Sequence, residues 1–260
     1  MGETPLPPWR LPPGVTRGLW EYTHDDSIAD DYDEYFAYNS LFAYDEAVLV
    51  EWFSTPGVLV DLGCGTGRLS LALARRGFQA IAVDLSLPML RVVGRKAAEA
   101  GIPVDRLQAN VVELGCLADA SVDYAILMFS TLGMIRGAAN RRAVLDEVRR
   151  IVRPGGQFAI HVHNRWYHLF DPQGRWWLLR EGLWPRRREG LEPGDRVFDY
   201  RGVRNMFLHT FTLGELKRLV RAAGFQLERL IPLNTSRQRP LAHAWWFGRW
   251  RANGWIACCR

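Results

Sequence analysis

Lysine is almost missing from this 260-residue chain: only Lys96 and Lys217 occur, so the net charge of +5 rests on arginine. A basic balance is compatible with nucleic acid or another anionic surface, but so complete an arginine bias reads as coding composition rather than a binding task. The one dense run, Arg186-Arg187-Arg188, stands between Pro185 and Glu189 and reads as a solvated loop. Cysteine is scarce too. Cys64, Cys116 and the adjacent Cys258 and Cys259 offer neither Cys-x-x-Cys nor zinc-like spacing, which argues against a zinc module or a disulfide framework. Reduced thiols and a cytoplasmic location are expected. No stretch approaches the ~20 consecutive apolar residues of a membrane helix. Residues 1–14 are rich in proline and lack the basic-then-apolar order of a secretory signal, so an extended arm is expected there. Internal repeats are lacking. With 48% hydrophobic residues, the chain can build one large domain, or one domain with an elaborate insertion.

What is present is concentrated in residues 58–84. An apolar β-branched run ends in Asp61 and opens into a loop with glycine at 63, 65 and 67. A helical pattern follows over 69–76, then Gly77, a second apolar run and a second acid, Asp84. Strand, glycine loop, helix, strand and acid make up a nucleotide-binding βαβ unit. The loop must turn tightly while bringing backbone close to a ligand, which glycine does without steric penalty. Asp84 falls at the carboxyl end of the second strand, where a carboxylate can accept from two ribose hydroxyls. A dinucleotide fingerprint requires glycine three residues after Gly65, but Arg68 stands there, and no phosphate-cradling lysine follows. An acid just ahead of the loop suits a ligand with an ammonium group better than one with a pyrophosphate.

Residues 24–53 interleave acids with aromatics, among them Asp33, Tyr35 and Tyr38, and the spacing over 41–53 predicts an amphipathic helix. Strands are predicted at 57–62, 79–84, 105–110, 122–129 and 157–163. Helices are predicted at 67–76, from the Ser86 cap to Ala100 with Pro88 in the first turn, and at 138–152. The strand at 122–129 is continuously apolar, as expected when both faces are buried. Alternating helices and buried strands make a parallel sheet with helices on both faces the economical fold. The pattern breaks over 165–210, which is dense in tryptophan (166, 176, 177, 184), proline and arginine and lacks a long helical period. Short strands are predicted near 196–203, a helix at 212–223, and last strands at 225–233 and 255–259.

The ordered set of Asp61, Gly63, Gly65, Gly67, Asp84 and the Arg-Pro-Gly-Gly turn at 153–156 resembles the class I S-adenosylmethionine-dependent methyltransferases, over roughly residues 30–165. The resemblance implies an α/β, Rossmann-like, doubly wound sheet of seven mostly parallel strands, with the tryptophan-rich insertion after strand five. It divides the chain into an arm (1–23), a helical cap (24–56), a cofactor-binding core (57–164), an insertion or substrate cap (165–210) and the rest of the core sheet (211–260). It implies S-adenosyl-L-methionine as cofactor and S-adenosyl-L-homocysteine as product. The cofactor residues carried over are Asp61, Gly63, Cys64, Gly65 and Gly67 for the methionine tail, Asp84 for the ribose, and Leu85 and Met89 against the adenine. Asn110 stands where the family usually has an adenine-binding Asp; its carbonyl oxygen can still accept, and Val111 can add its backbone N–H. Phe129, with Ser130, occupies the position facing the methionine ammonium, and Tyr32 lies in an upstream helix that often closes over the tail.

His163, with His161 two residues before it on the same strand face, is the candidate general base at the carboxyl end of strand five. Each has the alternative of a hydrogen-bonded structural histidine. His209, just before the penultimate helix, is a third candidate with the same alternative. A metal at His161 and His163 is disfavoured because no carboxylate stands at matching spacing. Phe-Ser-Thr-Leu-Gly at 129–133 replaces the Asn-Pro-Pro-Tyr type of motif found in relatives that methylate planar amines of DNA or protein glutamine, and a Pro-Cys nucleophile is absent. The reading is therefore methyl transfer to oxygen or nitrogen of a small metabolite, by a monomer or homodimer without membrane attachment. An RNA methyltransferase and a non-catalytic cofactor-binding regulatory module are the alternatives.

Overall fold

A computed structural model describes residues 10–37, 41–183 and 190–260. The arm before residue 10, Tyr38, Trp184 and the arginine run at 186–188 lie outside the described residues. The chain begins with four helices, α1 (Arg17–Thr23), α2 (Asp26–Asp30), α3 (Tyr32–Ala37) and α4 (Leu41–Trp52). Then follow β1 (Val58–Leu62), α5 (Arg68–Ala74), β2 (Gln79–Asp84), α6 (Leu87–Ala100), β3 (Val104–Gln108) and β4 (Val122–Leu127). The middle of the chain forms α7 (Thr131–Met134), α8 (Ala138–Ile151), β5 (Val152–His163), a 3-10 turn (Arg165–Phe170), α9 (Pro172–Leu183), β6 (Asp195–Tyr200) and β7 (Val203–His209). It closes with α10 (Leu213–Ala222), β8 (Leu227–Pro232), α11 (Gly248–Arg251) and β9 (Gly254–Cys259).

Seven strands form one sheet in the order β3-β2-β1-β4-β5-β9-β8. The first five run parallel, and β9 is antiparallel to both β5 and β8. Period-two alternation sorts the side chains. Val60, Leu62, Ala125, Leu127, Phe158 and Ile160 pack with Val144, Leu145 and Val148 of α8 and Leu216 and Val220 of α10. Leu59, Tyr124, Ile126 and Ala159 take the other face with Leu49 of α4 and Leu69 and Leu73 of α5. Strand order reverses between β1 and β4, so a crevice opens at the carboxyl ends of these strands.

Three differences from expectation bear on the site. The expected arm gives way at Arg17 to α1, whose first turn is capped by Thr16 accepting from the Leu19 N–H at 3.2 Å. Tyr22 of α1, Ile28 and Ala29 of α2, Met89 and Val92 of α6, and Val203 and Met206 of β7 form a third apolar cluster. The amino-terminal helices and the β6–β7 hairpin are thus joined above α6. Strand four stops at Leu127, because Phe129 (φ 56) and Ser130 (φ 65) turn into left-handed backbone. The insertion contains α9, which periodicity did not reveal; Trp176 and Leu179 on it are exposed, so no clean apolar stripe marks it.

Candidate active site

The crevice holds a cavity of about 340 Å³. Its floor is the glycine loop. Gly63 and Cys64 donate to the Val83 carbonyl at 2.8 and 3.0 Å, which ties the loop to β2. All three glycines have left-handed φ (71, 55 and 75°), but they serve different ends. A Cβ on Gly63 would meet Thr131 Cγ2 at 2.4 Å, and one on Gly67 would meet Val93 Cγ2 at 2.8 Å. On Gly65 it would find nothing nearer than Tyr32, at 3.9 Å. Gly65 is therefore the glycine whose bare Cα leaves room for a ligand. Gly67, expected in the site, does not line the cavity; it starts α5 and packs on α6.

Two buried acids face this floor. Asp84 accepts from the Gly65 N–H through Oδ2 and from the Ser86 N–H through Oδ1, both at 2.8 Å. Each oxygen keeps a lone pair for a further donor. Asp61 accepts from the Ser70 hydroxyl at 2.7 Å, and burial pushes its pKa up to about 6. Arg68, at the start of α5, is paired with Asp45 at 3.3 Å. Thr66 donates to Asp33 at 2.6 Å, and Asp33 also pairs with Lys96.

Of the other residues expected to hold cofactor, Tyr32, Cys64, Leu85, Met89, Asn110, Val111 and Phe129 all line the cavity. Burial drives the Tyr32 phenol and the Cys64 thiol upward, so both are neutral. Asn110 is already engaged: its Nδ2 donates to the Pro13 carbonyl at 2.9 Å and its Oδ1 accepts from the Val112 N–H at 3.2 Å. It thereby fastens the amino-terminal segment over the site while retaining one lone pair.

The histidines separate. His163 lines the cavity, and its N–H backbone donates to the Ser130 hydroxyl at 3.4 Å. Burial, then the charges of Arg237 and His168, push its imidazole down to about 3 despite a hydrogen bond with Asn253. It is a neutral ring at physiological pH and a weak base. His161 lies behind it, with ring centroids 5.2 Å apart, and does not reach the cavity. Neither of its ring nitrogens has a hydrogen-bond partner among the described residues, and burial holds it uncharged. His209 is a clamp rather than a base. Its Nδ1 lies 2.6 Å from Asp195 and its Nε2 2.9 Å from Glu215, so both nitrogens are occupied, away from the cavity.

Several lining residues carried no local sequence signature. Val15, Leu19 and Tyr22 come from α1 and the residues before it, Phe36 from α3, Phe198 and Tyr200 from β6, Met206 from β7, and Arg237 from the loop after β8. The hairpin, not the tryptophans, walls the site: Trp166, Trp176 and Trp177 do not line the cavity.

Comparison with known proteins agrees with this geometry. Residues 59–156 match the family model described as a methyltransferase domain. The ubiquinone biosynthesis O-methyltransferase of Xylella fastidiosa is 32% identical over 108 residues, 41% of this chain and 42% of that protein. That of Klebsiella pneumoniae is 30% identical over 121 residues, 46% of each. The chain thus spans about half the length of the curated relatives it matches. A crystal structure of a methyltransferase from Methanosarcina mazei superposes with a TM-score of 0.65 at 21% identity, covering 82% of this chain and 95% of that one. A Burkholderia thailandensis 1,6-didemethyltoxoflavin N1-methyltransferase, solved with bound 1,6-didemethyltoxoflavin and S-adenosylhomocysteine, superposes at 0.61 with 20% identity, covering 90% and 84%. These structures show a shared fold. Residues 59–156 are thus a methyltransferase domain, and strand order and site architecture are those of the Rossmann-like fold of S-adenosylmethionine-dependent methyltransferases.

Proposed function

We propose that this protein transfers a methyl group from S-adenosylmethionine to an oxygen or nitrogen of a small molecule, in the cytoplasm. The observation that carries the reading is the pairing of the cavity-facing Gly65 with the buried Asp84, in a cavity that also takes in Phe129, Ser130 and His163. The residues present fit the cofactor. Asp84 would take the ribose hydroxyls, Asp61 would offset the ammonium, Leu85, Met89 and Val111 would flank the adenine, and Tyr32 would close over the tail. The bound sulfonium supplies a methyl carbon with a good leaving group already attached. The protein's own part is then to position the acceptor and exclude water.

The wall is built for exclusion. Leu19, Phe36, Phe129, Phe198, Met206 and Phe207 present apolar surface to the cavity. His163 can hold an acceptor by a hydrogen bond from a neutral imidazole, a positioning task that its low basicity permits. The Xylella and Klebsiella relatives are named as O-methyltransferases of ubiquinone biosynthesis, and the Burkholderia enzyme as an N1-methyltransferase of 1,6-didemethyltoxoflavin. Both support the small-molecule reading.

Calorimetric titration of S-adenosylhomocysteine into the protein tests the cofactor half, with Asp84→Asn as control. Asn keeps one acceptor oxygen where the carboxylate serves two N–H groups, so affinity should fall about 10- to 100-fold, the equivalent of losing a charged hydrogen bond. Equal affinity in the variant would remove Asp84 from the ribose site. Mass-spectrometric detection of methylated product in a metabolite screen separates an enzyme from a cofactor-binding regulator.

A further inference from the structure

Of the charged residues that line the cavity outside the cofactor assignment, Asp33 is paired with Lys96 and Arg68 with Asp45, which leaves Arg237. Arg237 reaches the cavity from the loop that follows β8, and its guanidinium lies over the Phe129 ring, 5.2 Å from the centroid. It makes no ion pair with any carboxylate among the described residues. The acid that most offsets it, Asp45, is already paired with Arg68 at 3.3 Å. Its field reaches the end of β5, where it adds to the burial that already disfavours the charged forms of His161 and His163. Arg237 is partly buried, and an arginine partly withdrawn from water without a paired anion is less favourable than one that has such a partner.

The backbone is built to keep it there. Arg237 adopts φ 58, a left-handed conformation that costs a non-glycine residue stability. Its N–H donates to the Asn234 carbonyl at 3.0 Å, while the Asn234 side chain accepts from the N–H groups of Gln238 and Arg239 at 3.0 and 3.3 Å. Asn253 Nδ2 donates to the Thr235 carbonyl at 3.1 Å, and Asn253 also hydrogen-bonds His163. One loop therefore sets Arg237 and His163 together. Around them stand rings: Phe36 meets Phe129 edge-on at 5.4 Å, and Tyr200 lines the same cavity.

Resting on the methyltransferase reading above, we propose that the acceptor is a planar aromatic anion, a ring bearing a carboxylate or an ionised hydroxyl, whose anionic oxygen pairs with Arg237 beside Phe129. A guanidinium fork matches a carboxylate bidentately and stacks against aromatic faces, which a lysine does not reproduce. The ionised oxygen is the nucleophile: it would form the O–CH3 bond as the methyl–sulfonium bond breaks and S-adenosylhomocysteine leaves, and since that oxygen carries no proton the step needs no strong base. The neutral His163 then serves as a hydrogen-bonding neighbour.

The test uses the full chain saturated with S-adenosylhomocysteine, titrated with 2-naphthoate and with its neutral isostere 2-naphthamide. Wild type should bind the anion at least tenfold more tightly than the amide. Arg237→Gln should abolish that preference, Arg237→Lys should retain part of it, and both should bind S-adenosylhomocysteine within twofold of wild type, which also shows that they fold. Equal binding of the two probes, binding of neither, or a preference unchanged in Arg237→Gln overturns the proposal and leaves the cofactor reading standing. A tenfold loss of S-adenosylhomocysteine affinity in Arg237→Gln also overturns it, by assigning the arginine to the cofactor carboxylate. Failure of wild type to bind S-adenosylhomocysteine at all would instead sink the parent reading.

Discussion

Three alanine substitutions in the glycine loop should divide folding from ligand binding. Gly63, Gly65 and Gly67 all have left-handed φ, so each variant loses about 1–2 kcal/mol to backbone strain. At Gly63 the new methyl would sit 2.4 Å from Thr131 Cγ2, and at Gly67 2.8 Å from Val93 Cγ2. Both neighbours are β-branched and held in packed elements, so overpacking adds about 1–3 kcal/mol. At Gly65 the first neighbour is Tyr32 at 3.9 Å, an ordinary contact, and only strain remains. Gly63→Ala and Gly67→Ala should therefore be less stable by about 2–5 kcal/mol, against about 1–2 kcal/mol for Gly65→Ala, from the same two terms. In a chain of this size that separates the midpoints by several degrees, at about 2–4 °C per kcal/mol. S-adenosylhomocysteine affinity should rank the other way. Gly65→Ala places its methyl in the space the ligand needs and should lose about 10- to 100-fold, the equivalent of about 1–3 kcal/mol of overpacking. Urea unfolding and calorimetry on the three purified variants read both quantities. Wild-type affinity in Gly65→Ala, or Gly67→Ala as stable as Gly65→Ala, would refute the division.

Two pH dependences follow from buried groups. Burial raises Asp61 to about 6 from 3.8, so it is protonated below that pH and cannot offset an ammonium. S-adenosylhomocysteine affinity should be flat above about pH 7 and weaken as pH falls through 6, and Asp61→Asn should remove the inflection; equal dissociation constants at pH 5 and 8 would exclude Asp61 from the tail site. For His209, burial opposes the cation, but hydrogen bonds to Asp195 and Glu215 outweigh it and raise the pKa above 6.5. Its contribution to stability is thus full below pH 6.5 and lost as pH rises through the folded value. Denaturant midpoints should fall over that window in wild type and not in His209→Gln; parallel profiles would show that the clamp is not charged.

What the sequence by itself determined was the cofactor half. Strands at 58–62 and 79–84, the glycine loop and Asp84 are legible because each is local: apolar runs bury, glycine accepts left-handed backbone without steric penalty, and an acid at the carboxyl end of a buried strand faces the crevice. The family resemblance pointed to Leu85, Met89, Val111 and Phe129, and the strand pattern to His163 at the end of strand five; all five line the cavity. Strand period also gave His161 and His163 a common face, but not their depth, and only packing shows that His161 stops behind its neighbour. Tertiary structure alone decided the opposite wall of the cavity. Leu19, Phe36, Phe198, Tyr200 and Arg237 come from segments about 200 residues apart, and none stands in a motif. Each would read as an ordinary core or surface residue in its own segment. They meet because the amino-terminal helices dock on the β6–β7 hairpin over α6, and because the sheet's last antiparallel strands return the 233–240 loop beside β5. Local propensity carries no record of such encounters, since hydrophobic burial rewards apolar contact without regard to separation along the chain.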